Sequence, residues 1–135
     1  MEFNRHNNIK THVILAVYSV GFLIGTYTHL HNILVNGFLS ISSRAPVWIN
    51  IYWDSLTFFD FLSSLLVWFK LKQGLRIAIA IMATDIIINT YSYLSGWFGA
   101  ISTSMVPVAL LMQCVFGTYV FTTASLLLTE STSRE

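Results

Sequence analysis

Asp54, Asp60 and Asp85 are the only aspartates in the chain, and each lies within a long apolar run. The remaining acids, Glu2, Glu130 and Glu135, sit near the two ends. The segment IYWDSLTFFDFLSSLLVW, residues 51–68, holds Asp54 and Asp60 and has no Lys or Arg to neutralise them. An ionisable group inside a membrane span is costly. By default it marks a ligand site, an ion or proton path, or a contact between helices. At helical steps of three and four, Asp54, Thr57, Asp60 and Ser64 drift slowly around one side. The other side is Phe, Leu and Val, which lipid can face.

The other apolar runs carry matching polar stripes. In the first, GFLIG places Gly21 and Gly25 on a small-residue surface suited to close helix approach. His29, Asn32 and Asn36 continue that stripe, while His31 points elsewhere. The third run carries Asp85, Asn89 and Ser92 on one stripe, with Tyr91 beside it. The fourth offers Gln113 and Thr118. Asp60 and Asp85 are expected near the midplane. His29, Asn32, Asp54 and Asn89 are expected in the outer half, with Gln113 between these levels. Together they can line one cavity that opens outward.

Three chemistries compete for this constellation. The leading expectation is a site for a small lipophilic molecule with a polar or cationic head. The head would meet Asp60 and Asp85, with His29 and Asp54 at the mouth and Asn32, Asn89 and Gln113 alongside. The tail would lie among Phe58, Phe61, Met82 and Met112. The rival is a structural or accessory subunit of a larger membrane complex, its aspartates fastening helices through Thr57, Asn89 or Thr118. A third is proton-coupled transport along Asp54, Asp60 and Asp85.

Metal and cofactor chemistry find less support. His29, Asp54 and Asp85 make a conceivable mixed nitrogen–oxygen site, but no HxxH or ExxH spacing backs it. His29 and His31 are two residues apart and face different ways on a helix. No other run has a histidine, so bis-histidine haem ligation within one chain is excluded. No nucleophile-elbow motif supports a hydrolase. No metal and no cofactor are expected, and no catalytic residue is assigned.

The elements that must position these residues follow from hydropathy. Of 135 residues, 55% are hydrophobic and 10% charged, and the mean hydropathy is +0.67. Soluble domains carry about 25% charged residues, so this balance argues for a membrane protein. The net charge of +1 gives no basic patch for nucleic acid. The single cysteine, Cys114, forms no intrachain disulfide and is expected as a small core residue.

Helices are expected at about 13–36, 47–69, 75–94 and 105–128, each long enough for a hydrocarbon layer of about 30 Å. Ser104 is a candidate N-cap for the last, and Pro107 is tolerated in its first turn. Lys70, Lys72, Gly74 and Arg76 form a short basic turn. The first run is too long for a signal-peptide core and reads as a retained span. Residues 51–69 gain on the order of −3 to −6 kcal/mol from their apolar side chains. The two aspartates cost about +5 to +7 on the same scale, so this helix needs neighbours.

The short connections predict an all-α, up-down antiparallel four-helix transmembrane bundle, a single integral membrane domain over residues 1–135. Arg5, Lys10, Lys70, Lys72, Arg76 and Arg134 fall on one side and Arg44 alone on the other. Both termini are therefore expected in the cytoplasm and the chain in the inner, or plasma, membrane as a multi-pass protein. Trp48, Tyr52, Trp53, Trp68, Tyr93 and Trp97 lie where aromatic belts form. The lipid bilayer is the expected partner, and the chain is open to homodimerisation or to a larger membrane complex.

The run IYWDSLTFFDFLSSLLVW, with IGTYTHL before it and AIAIMATDIIINTY after the basic turn, resembles a family of small four-helix bacterial inner-membrane proteins. The resemblance covers most of the chain, through the first three helices. It implies the fold and the membrane location, and no activity. In layout alone, acids on two helices and a histidine on a third are loosely similar to the sterol-isomerase and sigma-2-receptor group. That likeness implies a type of site, a cavity lined by acidic residues that takes lipophilic amines or sterols.

Overall fold

The computed structural model describes residues 2–40, 42, 44–98 and 105–132, with side chains for residues 9–40, 42, 44–98 and 105–129. They form four helices, α1 (Glu2–Asn36), α2 (Val47–Phe69), α3 (Leu71–Leu94) and α4 (Met105–Thr132). There is no strand among the described residues.

The helix starts differ from the sequence expectation in two places. α1 begins about eleven residues before Val13, because no Gly or Pro interrupts the chain from Glu2 to Val20. Its 35 residues extend to about 50 Å at 1.5 Å per residue, well beyond a hydrocarbon layer. α3 begins at Leu71 rather than Leu75. The expected basic turn shrinks to one residue, Lys70, whose φ of −142° and ψ of 69° break the helical path. Gly74 lies within α3, where a Cβ would run into the backbone of Val67. That glycine lets α3 fold back closely on α2. The candidate N-cap Ser104 and the tail residue Arg134 lie outside the described residues.

α1 stops where Gly37, at φ 87°, donates its N–H to the Ile33 carbonyl at 2.9 Å. α3 stops in the same manner. Gly96 adopts φ 69°, and the Trp97 N–H reaches the Ser92 carbonyl at 3.0 Å. Pro107 occupies the first turn of α4, where its missing N–H costs nothing.

α2 packs between α1 and α3, and α4 packs on α3. α1 and α4 meet where the Tyr18 hydroxyl donates to the Val120 carbonyl at 2.8 Å and lies 3.0 Å from Thr123 Oγ1. The buried core is small and runs through Tyr18, Ile49, Leu56, Val67, Leu75 and Val120. Most large apolar side chains point outward, among them Leu34, Phe58, Ile87 and Leu111. An apolar exterior of this extent suits a lipid environment.

Three helices are long and apolar enough to cross a membrane, Ile9–Asn36, Leu71–Leu94 and Met105–Thr129. α2 has the length, with 23 residues, but its two aspartates, Asn50 and three serines lower its mean hydropathy. Cys114 corrects the core expectation. It is exposed on the outer face of α4, beside the outward-facing Leu111 and Val115.

Candidate functional site

The four helices and Phe98 enclose a cavity of about 570 Å3. Cavities that hold drug-sized molecules span about 300–1,000 Å3 and are mostly apolar with a few placed polar groups. The polar groups here are Asp60, Asp85, His29, Asn32, Asn89, Gln113 and Thr28. Among the described residues the lining holds two carboxyls and one imidazole, and no Lys or Arg.

Asp60 is only 5% exposed and faces the cavity from α2. Its carboxyl lies against Gly25 of α1, where a Cβ would occupy the place of Oδ2. No described residue gives this carboxyl a hydrogen bond. His29 is in a similar position. Its Nδ1 is buried with no hydrogen-bond partner among the described residues.

Asp85 is held differently. Asn89 Nδ2 donates to Asp85 Oδ1 at 2.9 Å, and Gln113 Nε2 of α4 donates to Asp85 Oδ2. Asn89 Oδ1 in turn accepts from Trp53 Nε1 of α2 at 2.7 Å. Trp53, Asn89, Asp85 and Gln113 thus form one chain of contacts across α2, α3 and α4. Three of the polar side chains expected at the site, Asp85, Asn89 and Gln113, are therefore built into this network. Asp60, His29 Nδ1 and Asn32 line the cavity region without a hydrogen bond to a described residue.

Asp54 lies outside the cavity lining. Its Oδ2 accepts the backbone N–H of Leu39 at 2.7 Å, and Leu39 adopts a left-handed φ of 60°. One turn earlier, Asn50 accepts the N–H of Ser42 and donates to its carbonyl, both at 3.0 Å. The Ser42 hydroxyl donates to the Trp97 carbonyl. Asp54 and Asn50 therefore fasten the α1–α2 loop to α2, and Ser42 ties that loop to the turn after α3. This arrangement supports Phe98, whose ring lies 5.3 Å from that of Trp53 at the end of the cavity.

Helical geometry explains the different placement of Asp54. Six residues separate it from Asp60, which at 3.6 per turn leaves the two side chains about 120° apart. Trp53 and Asp60 are seven apart and only about 20° from alignment. That spacing was the available signal for Trp53 as a lining residue. Phe116, also missed, fills the notch at Gly21. Phe58 and Phe61, expected beside a ligand's tail, are 62% and 45% exposed and are not in the cavity lining, whose apolar part includes Met82, Met112 and Phe116 instead. Asn36 and Thr118 are exposed and do not line it.

The two glycines of GFLIG thus accept side chains, Phe116 at Gly21 and the Asp60 carboxyl at Gly25, rather than a neighbouring helix backbone. Among the described residues, no three His, Cys, Asp or Glu side chains lie close enough to hold a metal ion. Comparison with family profiles, with characterised proteins and with solved structures finds no match to this chain.

Proposed function

We propose that this chain is a multi-pass inner-membrane protein that holds a small lipophilic molecule with a polar or cationic head in its central cavity. One observation carries the reading. Asp60 is buried, faces the cavity and has no hydrogen-bonding partner among the described residues. A buried polar group left unpaired costs about 1–3 kcal/mol, more when charged, and a donor group on a ligand removes that cost. His29 adds a second unpaired group on the facing helix. Met82, Met112 and Phe116 offer the apolar part of a ligand its surroundings.

The reading takes all four helices as spans in up-down order with both termini cytoplasmic. The pairs Ser19–Ser64, Gly25–Asp60 and Leu39–Asp54 support this order, since numbers rise on one helix as they fall on the other. Trp53–Asn89 with Val67–Gly74, and Met82–Gly117 with Asn89–Gln113, follow the same rule on the next two interfaces. α2 crosses because α1 and α3 cover its polar side. The excess of Lys and Arg toward the termini and the α2–α3 turn sets the orientation.

A second reading has its own observation. The network joining Trp53, Asn89, Asp85 and Gln113 links three helices. Asp85 is therefore a helix fastener even where Asp60 serves a ligand. If both aspartates only fasten, the chain is a structural subunit of a larger membrane complex.

Purification in mild detergent followed by native mass spectrometry tests the choice. The expected result is a monomer or homodimer carrying a lipophilic adduct that Asp60→Leu loses. Recovery only with a fixed set of other subunits, and no adduct, would favour the structural reading instead.

A further inference from the structure

We propose that the cavity is filled sideways, from the bilayer, through the seam between α1 and α4, and that its ligand is a single-chain amphiphile. The inference rests on the ligand-binding reading above and adds the route and the class of molecule.

The contacts that join α1 to α4 lie on one side of the cavity. Tyr18 bonds to Val120, the Phe22 and Phe116 rings lie 5.5 Å apart, and Phe116 covers Gly21. Beyond Phe22, the described residues of α1 and α4 make no hydrogen bond or ring contact with each other. The same register brings Ile24 to within about half a turn of the level of Met112, and Thr28 to within one residue of the level of Ala109. All four line the cavity, and all four are exposed. Residues that both line a cavity and face outward mark its mouth.

Ile24 and Met112 are 59% and 64% exposed, and both lie well inside their candidate spans, Ile9–Asn36 and Met105–Thr129. The mouth therefore faces hydrocarbon, with Thr28 its one polar member. From Ile24 to Asn32 the gap runs about 12 Å along α1 at 1.5 Å per residue. At the opposite, solvent-facing end, Phe98 on Trp53 and the tethered α1–α2 loop stand in the way. A molecule already dissolved in the bilayer meets the open side. Its head reaches Asp60 and His29, and its chain lies in the seam. At about 570 Å3 the cavity is of drug-molecule size, too small for the whole of a two-chain phospholipid.

The test uses the full chain in phosphatidylcholine vesicles. Dodecylamine and dodecanol, each with a diazirine on the chain a few carbons from the head group, are added separately and photolysed, and adducts are mapped by mass spectrometry. A phosphatidylcholine with a diazirine on one acyl chain is the two-chain comparison. At least one single-chain probe should label Met82 or Gln113 inside the cavity, and unlabelled probe should compete. Ala109→Trp, and separately Thr28→Phe, should lower that labelling by about tenfold or more. Labelling of the outward Phe58 should stay unchanged, which also reports that each variant is folded and inserted. Both substitutions replace exposed side chains, so neither crowds the core.

Full labelling of Met82 in both plugged variants would overturn the sideways route and leave ligand binding standing. Equal labelling of Met82 by the phosphatidylcholine probe would overturn the single-chain class. No competable labelling inside the cavity of the unaltered protein would overturn the binding reading itself.

Discussion

Gly25 of α1 leaves open the space that the Asp60 carboxyl of α2 occupies, and any Cβ at position 25 would collide with Oδ2. The polar centre of the site thus depends on a missing side chain. The same glycine brings Asp60 within the wall that carries His29, one turn further along α1. Helix packing and site assembly are one event at this point. The site is therefore sensitive to changes that never touch a polar atom.

Gly25→Ala should displace the Asp60 carboxyl and destabilise the protein by about 1–3 kcal/mol, the usual cost of overfilling a packed position. Asp60→Ala should relieve the clash. In a double-mutant cycle the pair should couple by about 0.5–3 kcal/mol, so the double variant is more stable than additivity allows. Equilibrium unfolding in detergent micelles reads all four corners. Additive losses would show that Gly25 and Asp60 do not share this space.

Asp54 should act on the α1–α2 loop. Asp54→Ala removes the acceptor of the Leu39 N–H, a bond to a carboxyl oxygen at 2.7 Å. A typical intramolecular hydrogen bond contributes about 0.5–1.5 kcal/mol, so exchange at the Leu39 amide should quicken by about two- to tenfold. Leu39→Gly should keep the amide protected, since glycine adopts the left-handed φ of 60° without a penalty. Unchanged exchange in Asp54→Ala would release Asp54 from this tether.

The helices and most of the cavity were legible because apolar run length and steps of three and four carry through to packing. Asp60, Asp85, His29, Asn32, Asn89 and Gln113 do meet, as their stripes imply. Asp54 departs because sharing a side over one turn does not extend to six residues, where the angular drift reaches about 120°. Phe58 and Phe61 were misplaced because an apolar side chain in a membrane helix fits lipid and cavity equally, and hydropathy does not separate them. Cys114 turned outward for the same reason. The mouth between α1 and α4 was not legible at all. It depends on Phe116 filling the Gly21 notch, a pairing across some ninety-five residues that no local pattern encodes.

Orientation is open to a direct check. A reporter active only in the cytoplasm, fused after Arg134, should give signal, and the same reporter inserted near Ser40 should give none. The asymmetry of Lys and Arg between the two sides sets this expectation. The reverse pattern would turn the bundle over. Signal at both sites would remove α2 from the set of spans.

Asp60 and Asp85 should separate when each is changed to leucine. On the insertion scale, exchanging Asp for Leu at mid-helix favours insertion by roughly 3–4 kcal/mol, and both variants gain this. Their effects on the folded bundle differ, because the two carboxyls have different surroundings. Asp85→Leu strands the amides of Asn89 and Gln113 that now reach its oxygens. Side-chain hydrogen bonds inside membranes contribute about 0.6 kcal/mol on average and up to about 1.7, so losing two should cost about 1–3 kcal/mol. Asp60→Leu strands nothing among the described residues and fills an apolar wall, so bundle stability should hold or rise while ligand is lost. Equilibrium unfolding in micelles, read beside native mass spectrometry for the bound molecule, gives both quantities. Loss of stability in Asp60→Leu with no loss from Asp85→Leu would reverse the two roles and make Asp60 the fastener.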